Sequence, residues 1–155
     1  MPPETKVVRV RRLGVEDVAL AGEALRSLKG PAPADSSGAG HLRPFLARPE
    51  NVLIVAEEDG TPVGFLVAYV LDRVDRSRTM VCLYEIEVSP ARRRRGIGRA
   101  MVTELLRLCR RGNAMKVWVV GSRSNAAAMR FYVSTGARTA APDDVVFVYE
   151  PPFGD

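Results

Sequence analysis

Two short segments of this chain carry residue types whose spacing could do chemistry. The first, SPARRRRGIGRA (Ser89–Ala100), sets four consecutive arginines in front of a glycine pair. Glycine at 96 and 98 lets a backbone approach an anion with no Cβ in the way, and Arg92, Arg93, Arg94 and Arg95 add neutralising charge at the rim. Where such a segment joins a strand to a helix, unpaired N–H groups and the positive end of the helix dipole point at the same guest. Pyrophosphate suits that site. The second segment, LYEIEV (Leu83–Val88), places Glu85 and Glu87 two apart in an apolar run. In a regular strand both lie on one face, opposite Tyr84, Ile86 and Val88. An unpaired carboxylate is costly inside an apolar sheet, so the pair points either to a solvated sheet face or to a base for an ammonium group.

The rest of the composition narrows the field. The chain has 155 residues, 46% hydrophobic and 26% charged, which is enough for one soluble domain, residues 1–155, with a sizeable core. The net charge of +5 sits almost wholly in Arg92–Arg95. A protein that tracks a nucleic acid spreads its positive charge along a face, so charge crowded into one turn favours a smaller phosphate-bearing ligand. Cys82 and Cys109 lie far apart among apolar neighbours and His41 is the single histidine, so no zinc site can be argued. The opening MPPETKVVRV lacks the apolar core of a signal peptide, and no apolar run reaches the ~20 residues that span a bilayer. A cytoplasmic location is the expectation, with no membrane and no nucleic-acid partner.

The elements that must position these residues follow from hydrophobic periodicity. Val7–Leu13 alternates as a strand, and Val15–Leu28 places Val18, Ala21, Leu25 and Leu28 on one helix face. Gly30–Gly40 (GPAPADSSGAG) reads as a mobile loop, followed by a helical turn around Leu42–Leu46. Val52–Ala56 and Val63–Leu71 flank Asp59-Gly60 as a hairpin, and Met80–Val88 adds a third strand. From Gly96 the period becomes helical, with Met101, Leu105 and Leu108 on one face and Gly112 as the stop. Lys116–Val120 reads as a buried strand. Ser124 or Asn125 caps a helix that Gly136 ends, and Asp143–Pro152 reads as a last strand. This order predicts an α+β, or mixed α/β, sheet with helices on both faces.

The arginine turn is neither of two familiar phosphate loops. The Walker loop ends Gly-Lys-Ser/Thr where this chain has Gly98-Arg99-Ala100, and the dinucleotide fingerprint needs a third glycine or alanine where Met101 stands. One strand downstream lies NAAAMRFYVSTG (Asn125–Gly136). The two segments together resemble the GNAT superfamily of acetyl-CoA-dependent N-acetyltransferases, over about Val7 to Glu150. The run TPVGFLVAYVLDRVDRSRTMVCLYEIEVSPARRRRGIG is similar to the small GNAT-type aminoglycoside 3-N-acetyltransferases, which carry aspartate where this chain has Glu85.

That resemblance implies a central mixed, mostly antiparallel sheet splayed between strands 4 and 5, with acetyl-CoA in the opening. It implies pairing of the pantetheine arm with the backbone of Ile86, Glu87 and Val88. The pyrophosphate would rest on the N–H groups of Arg94, Arg95, Gly96, Ile97, Gly98 and Arg99, with Arg93 capping the turn. Asn125 and Ala128 would meet the pantetheine arm, although Asn125 serves equally as a helix cap. Glu85 becomes the general base, Glu87 its backup or an ammonium-binding acid, and Tyr132 the general acid for the thiolate. No base accompanies either cysteine, so direct transfer in a ternary complex is expected. A polycationic amine needs an acidic cleft, for which Glu85, Glu87, Asp72, Asp75, Asp143, Asp144 and Glu150 are the available groups. A homodimer is a further implication. The competing readings are a GNAT acting on a protein N-terminus, polyamine or small metabolite, and a non-catalytic module that binds acetyl-CoA or a nucleic acid.

Overall fold

The structure, a computed structural model, describes residues 7–31, 38–141 and 143–152. It divides into two compact units, Met1–Val120 and Gly121–Asp155. The first unit runs β1 (Val8–Arg12), α1 (Val18–Lys29), α2 (Leu42–Ala47), β2 (Asn51–Glu58), β3 (Thr61–Leu71), β4 (Thr79–Val88), α3 (Ile97–Arg111) and β5 (Ala114–Trp118). Its five strands form one sheet in sequence order. β1 to β4 are antiparallel neighbours and β5 joins β4 in parallel, so the mixed, mostly antiparallel sheet expected from the sequence is the one found.

Helices cover both faces of this sheet. Leu53 and Val55 of β2 and Phe65 of β3 share a buried cluster with Ala21 and Ala24 of α1 and with Leu42 and Leu46 of α2. Gly64 points the other way, because neighbouring residues of a strand alternate. A Cβ there would stand 3.0 Å from Met101 Cε and 3.1 Å from the Glu87 carbonyl, so only glycine lets α3 lie this close to the sheet. With both faces covered, Val52–Ala56 are buried without interruption, whereas a half-solvated strand would alternate. Asp59 and Gly60, at φ 52° and 78°, make the tight hairpin turn that Asp-Gly announces.

Two features of β4 prepare the site. Val67 pairs with Glu85 but Ala68 pairs with Leu83, which leaves Tyr84 as the extra residue of a β-bulge. Only Thr79–Cys82 pair with β5, so among the described residues the edge from Leu83 to Val88 has no strand partner on that side. This is the splay between strands 4 and 5.

Some expectations shift. The start of the first helix is a 3₁₀ turn, Val15–Asp17, in which the Asp17 carboxylate accepts from the Gly14 N–H at 2.9 Å and from Arg11 of β1 at 2.8 and 2.9 Å. The Arg11 guanidinium holds that carboxyl below its ordinary range. Most of the Gly30–Gly40 loop, residues 32–37, lies outside the described residues, and Gly38–His41 form a 3₁₀ turn. Gly112 donates to the Leu108 carbonyl at 2.9 Å as α3 closes, but Asn113 takes the left-handed conformation, at φ 55°. β5 begins two residues earlier than Lys116 and is not buried: Trp118 is 38% exposed, as befits an edge strand.

The second unit contains α4 (Ala126–Ser134). Asn125 is its cap, accepting from the Ala128 N–H at 3.0 Å, and Gly136 follows its end at φ 99°. The expected last strand, Asp143–Pro152, does not form: residues 143–150 are exposed and make no strand among the described residues. A β-rich run becomes a strand only when a neighbouring backbone takes its N–H and C=O groups, and Val145–Tyr149 have none here.

Candidate active site

The arginine turn leaves β4 through Ser89, whose N–H donates to the Val63 carbonyl at 2.9 Å. A 3₁₀ turn, Pro90–Arg92, follows. Arg94 and Gly96 then take left-handed φ values of 65° and 79°. Such reversals curl successive N–H groups towards one side, the geometry of a backbone anion nest. For Arg94, a non-glycine residue, the conformation stores about 1–3 kcal/mol of strain. The first helical hydrogen bond is Ala100 N–H to the Gly96 carbonyl at 2.9 Å, and no side chain caps α3. The N–H groups of Ile97 and Gly98 therefore lie ahead of the helical ladder, the position from which a helix N-terminus can bind an anion.

The four arginines divide into two pairs. Arg92 turns inward and donates through Nε to Glu58 at 2.7 Å; the Glu58 side chain is only 5% exposed. Arg93 folds back on its own strand, donating to Glu87 Oε1 at 2.9 Å and to the Val88 carbonyl at 3.1 Å. Arg94 and Arg95 are exposed and make no ion pair among the described residues. Two free guanidiniums beside an uncapped helix N-terminus fit a pyrophosphate, and they are half of what a nucleic-acid patch built on the whole run would have. Because Glu58 ties the turn to the end of β2, Glu58→Gln is expected to cost about 1–3 kcal/mol in a urea melt, towards the lower end since Arg92 can still reach water.

The bulge changes the face on which β4 presents its side chains. Glu85 pairs with Val67 and Glu87 with Phe65, so both acids lie on the α1/α2 face, as expected from their spacing. Tyr84 was expected on the opposite face, but it turns to the same side as Glu85. Its ring meets Tyr69 edge-on at 5.5 Å, and Tyr69 in turn meets Phe45 at 6.1 Å. The extra residue of a bulge breaks strict alternation, and that is the physical reason. Glu85 is not alone there. Lys29, the last residue of α1, donates to Glu85 Oε2 at 2.9 Å. The lysine side chain is 49% exposed and the glutamate 30%, a setting in which an ion pair is worth about 0–1 kcal/mol.

Periodicity had no means of finding Lys29, Tyr69, Tyr84 and Glu58. Lys29 and Glu58 meet partners 56 and 34 residues away in the chain. The β4 backbone from Ile86 to Val88 sits at the splayed edge, with the Val88 carbonyl already taken by Arg93. Asp72 is exposed. Asp75 is clamped between Arg73 and Arg76, whose guanidiniums bring its carboxyl down to about 2, so its charge is already matched. In the second unit, Asp143, Asp144 and Glu150 are exposed and no strand holds them. Asn125 and Ala128 are joined by the cap. Tyr132 stands one turn beyond Ala128 on the same helix face, half-buried, its ring beside Phe131 at 5.5 Å. Burial pushes its hydroxyl above the ordinary phenol value, so it carries a proton at neutral pH. Burial also raises the thiols of Cys82 and Cys109.

No helix among the described residues is long and apolar enough to cross a membrane. No curated protein sequence matches the chain. Among solved structures it is similar to an aminoglycoside acetyltransferase, meta-AAC0020, from an uncultured soil metagenomic sample, crystallised with trehalose; identity is 24%, over 92% of this chain and 95% of that one, with a TM-score of 0.78. It is also similar to the aminoglycoside N-acetyltransferase AAC(6′)-Iy in complex with CoA, at 19% identity, over 97% and 99% of the two chains and a TM-score of 0.79. A ribosomal-protein-alanine N-acetyltransferase from Brucella melitensis biovar Abortus 2308 shares 18% identity over 92% and 100% of the chains, with a TM-score of 0.72. These likenesses show the fold. The profile of the Acetyltransferase (GNAT) family matches residues 22–137, well over half of the chain and including both the arginine turn and α4, and the chain belongs to that family.

Proposed function

We propose that this GNAT protein is an acetyl-CoA-dependent N-acetyltransferase whose acceptor is an amino group of an aminoglycoside, acting as one catalytic domain over residues 1–155. The observation that carries the enzymatic reading is the open end of β4, where an acid on one face of the strand runs directly into an uncapped, arginine-rimmed helix N-terminus. Arg94, Arg95 and the N–H groups of Gly96, Ile97, Gly98 and Arg99 would hold the pyrophosphate, and the free edge at Ile86 and Glu87 the pantetheine amides. Acetyl-CoA bound there supplies an acetyl group already activated as a thioester.

The acceptor arrives as an ammonium, because its pKa lies above 7. Glu85 takes one proton from it, directly or through water, and passes it to solvent. The neutral nitrogen then forms its bond to the thioester carbonyl carbon as the carbon–sulfur bond breaks. Tyr132 gives its hydroxyl proton to the departing sulfur, and the second proton lost by nitrogen returns through water to the phenolate. One proton is released for each ammonium acetylated. Two cysteines with raised thiols are poor nucleophiles, which supports direct transfer over an acyl-enzyme.

Support for the substrate class is the sequence likeness together with two structural neighbours named as aminoglycoside acetyltransferases. The resemblance points to the 3-amino group, whereas one neighbour is named for the 6′ position; NMR of the acetylated product assigns the site. A second reading, acetylation of a protein N-terminus, is favoured by the similarity to the alanine N-acetyltransferase. A cytoplasmic location and a homodimer belong to this proposal as well. Gly98→Val tests the cofactor site. A branched side chain in the first turn of α3 blocks the approach of a phosphate oxygen, and loss of one charge-assisted hydrogen bond weakens acetyl-CoA binding by about ten-fold or more. Normal affinity in a folded variant would place the cofactor elsewhere.

A further inference from the structure

Both acids on the α1/α2 face of β4 already hold a cation of the protein's own: Lys29 on Glu85 and Arg93 on Glu87. The two are held very differently. Arg93 is anchored twice, through Nη2 to Glu87 and through Nε to the Val88 carbonyl, and it belongs to the cofactor turn. Lys29 donates to a single carboxylate oxygen, from the last residue of a helix and with half of its side chain in solvent. Its ammonium is chemically the same group as the one an amine acceptor presents. On the same face of the sheet Tyr69 meets the rings of Phe45 and Tyr84 edge-on, and an aromatic ring is a surface on which a cation can rest.

We propose that Lys29 is a specificity-determining residue, a tethered ammonium that occupies the acceptor's place on Glu85 and that an incoming amine must displace. The inference rests on the reading of Glu85 as the group that receives the acceptor. Exchange of one ammonium for another leaves the charge at Glu85 unchanged, and the released lysine regains its rotamer freedom in water. Tethering makes the competition constant, because Lys29 does not dilute away. Weak acceptors are therefore held off, while an amine with several contacts wins the site.

The test is equilibrium binding of sisomicin by calorimetry, run beside thiol release from acetyl-CoA. Lys29→Met removes the competitor and is expected to tighten sisomicin binding about two- to five-fold, the range that an exposed ion pair's strength allows. Lys29→Arg keeps charge and reach and should bind within about two-fold of wild type. In a Glu85→Gln background the gain from Lys29→Met should vanish, because the anion that Lys29 competes for is gone. Unchanged or weaker binding by Lys29→Met, an equal gain in the Glu85→Gln background, or no sisomicin binding by any form overturns the inference. Thiol release separates the two readings. Tighter binding without turnover upholds the role of Lys29 and removes acetyl transfer, and turnover without tighter binding does the reverse.

Discussion

Glu85→Gln is expected to lower kcat/KM for an aminoglycoside by about 10²-fold or more at pH 7, the lower end of what a positioned base contributes. The amide keeps the shape of the side chain, so the fold survives while the proton acceptor and the charge that holds Lys29 are lost. Part of the activity should return at higher pH, where more of the amine is already neutral and needs no base. Glu87→Gln is expected to act mainly on KM. Its carboxylate holds Arg93, which also grips the Val88 carbonyl, so the loss reaches the arginine turn first. The pairing of Glu85, Ile86, Glu87 and Val88 with β3 is continuous, and the bulge lies before Glu85. Exchanged phenotypes would consequently make Glu87 the base with no register shift to explain it. No effect of either change on turnover would return both acids to the sheet surface.

Tyr132→Phe is expected to reduce kcat by about 10²-fold while acetyl-CoA affinity stays within a few-fold, since only the proton given to sulfur is removed. Phenylalanine keeps the ring beside Phe131 and next to Gly121, where a Cβ would lie 3.8 Å from the tyrosine ring. The direction of the pKa shift sets the pH window. Burial raises the hydroxyl, so the donor form persists through neutral pH and is lost only above the ordinary phenol value of about 10. The wild-type profile should show no loss from this group between pH 7 and about pH 10. A kcat that survives the substitution under conditions where a solvent isotope effect shows chemistry to be limiting would leave Tyr132 as a core aromatic.

How much of this was legible beforehand depended on the range of the interaction involved. Asp59-Gly60 forces a hairpin through the φ values of two residues, Asn125 caps α4 through a contact three residues away, and Gly96 permits the left-handed step into α3. These are local effects. A reader of the chain can see the arginine turn, the acid-bearing strand and the capped helix because each is set within a few residues. The family pattern then supplied roles that spacing alone did not.

Other features depended on partners far away in sequence. The bulge at Tyr84 exists because β3 and β4 differ by one residue in the length they pair, and no property of LYEIEV by itself reveals its neighbour's register. Asp143–Pro152 has strand composition throughout, yet a strand needs another backbone to take its hydrogen bonds, so composition overstated it. Arg92 and Glu58 stand 34 residues apart, and Lys29 and Glu85 stand 56 apart. Residue type and charge were fixed by the chain for all four, but which charge meets which was decided only when the sheet brought β2 to the arginine turn and α1 to β4. Coulombic attraction between exposed charges is weak in water and largely screened beyond about 10 Å, so side chains this distant in sequence become partners only through folding.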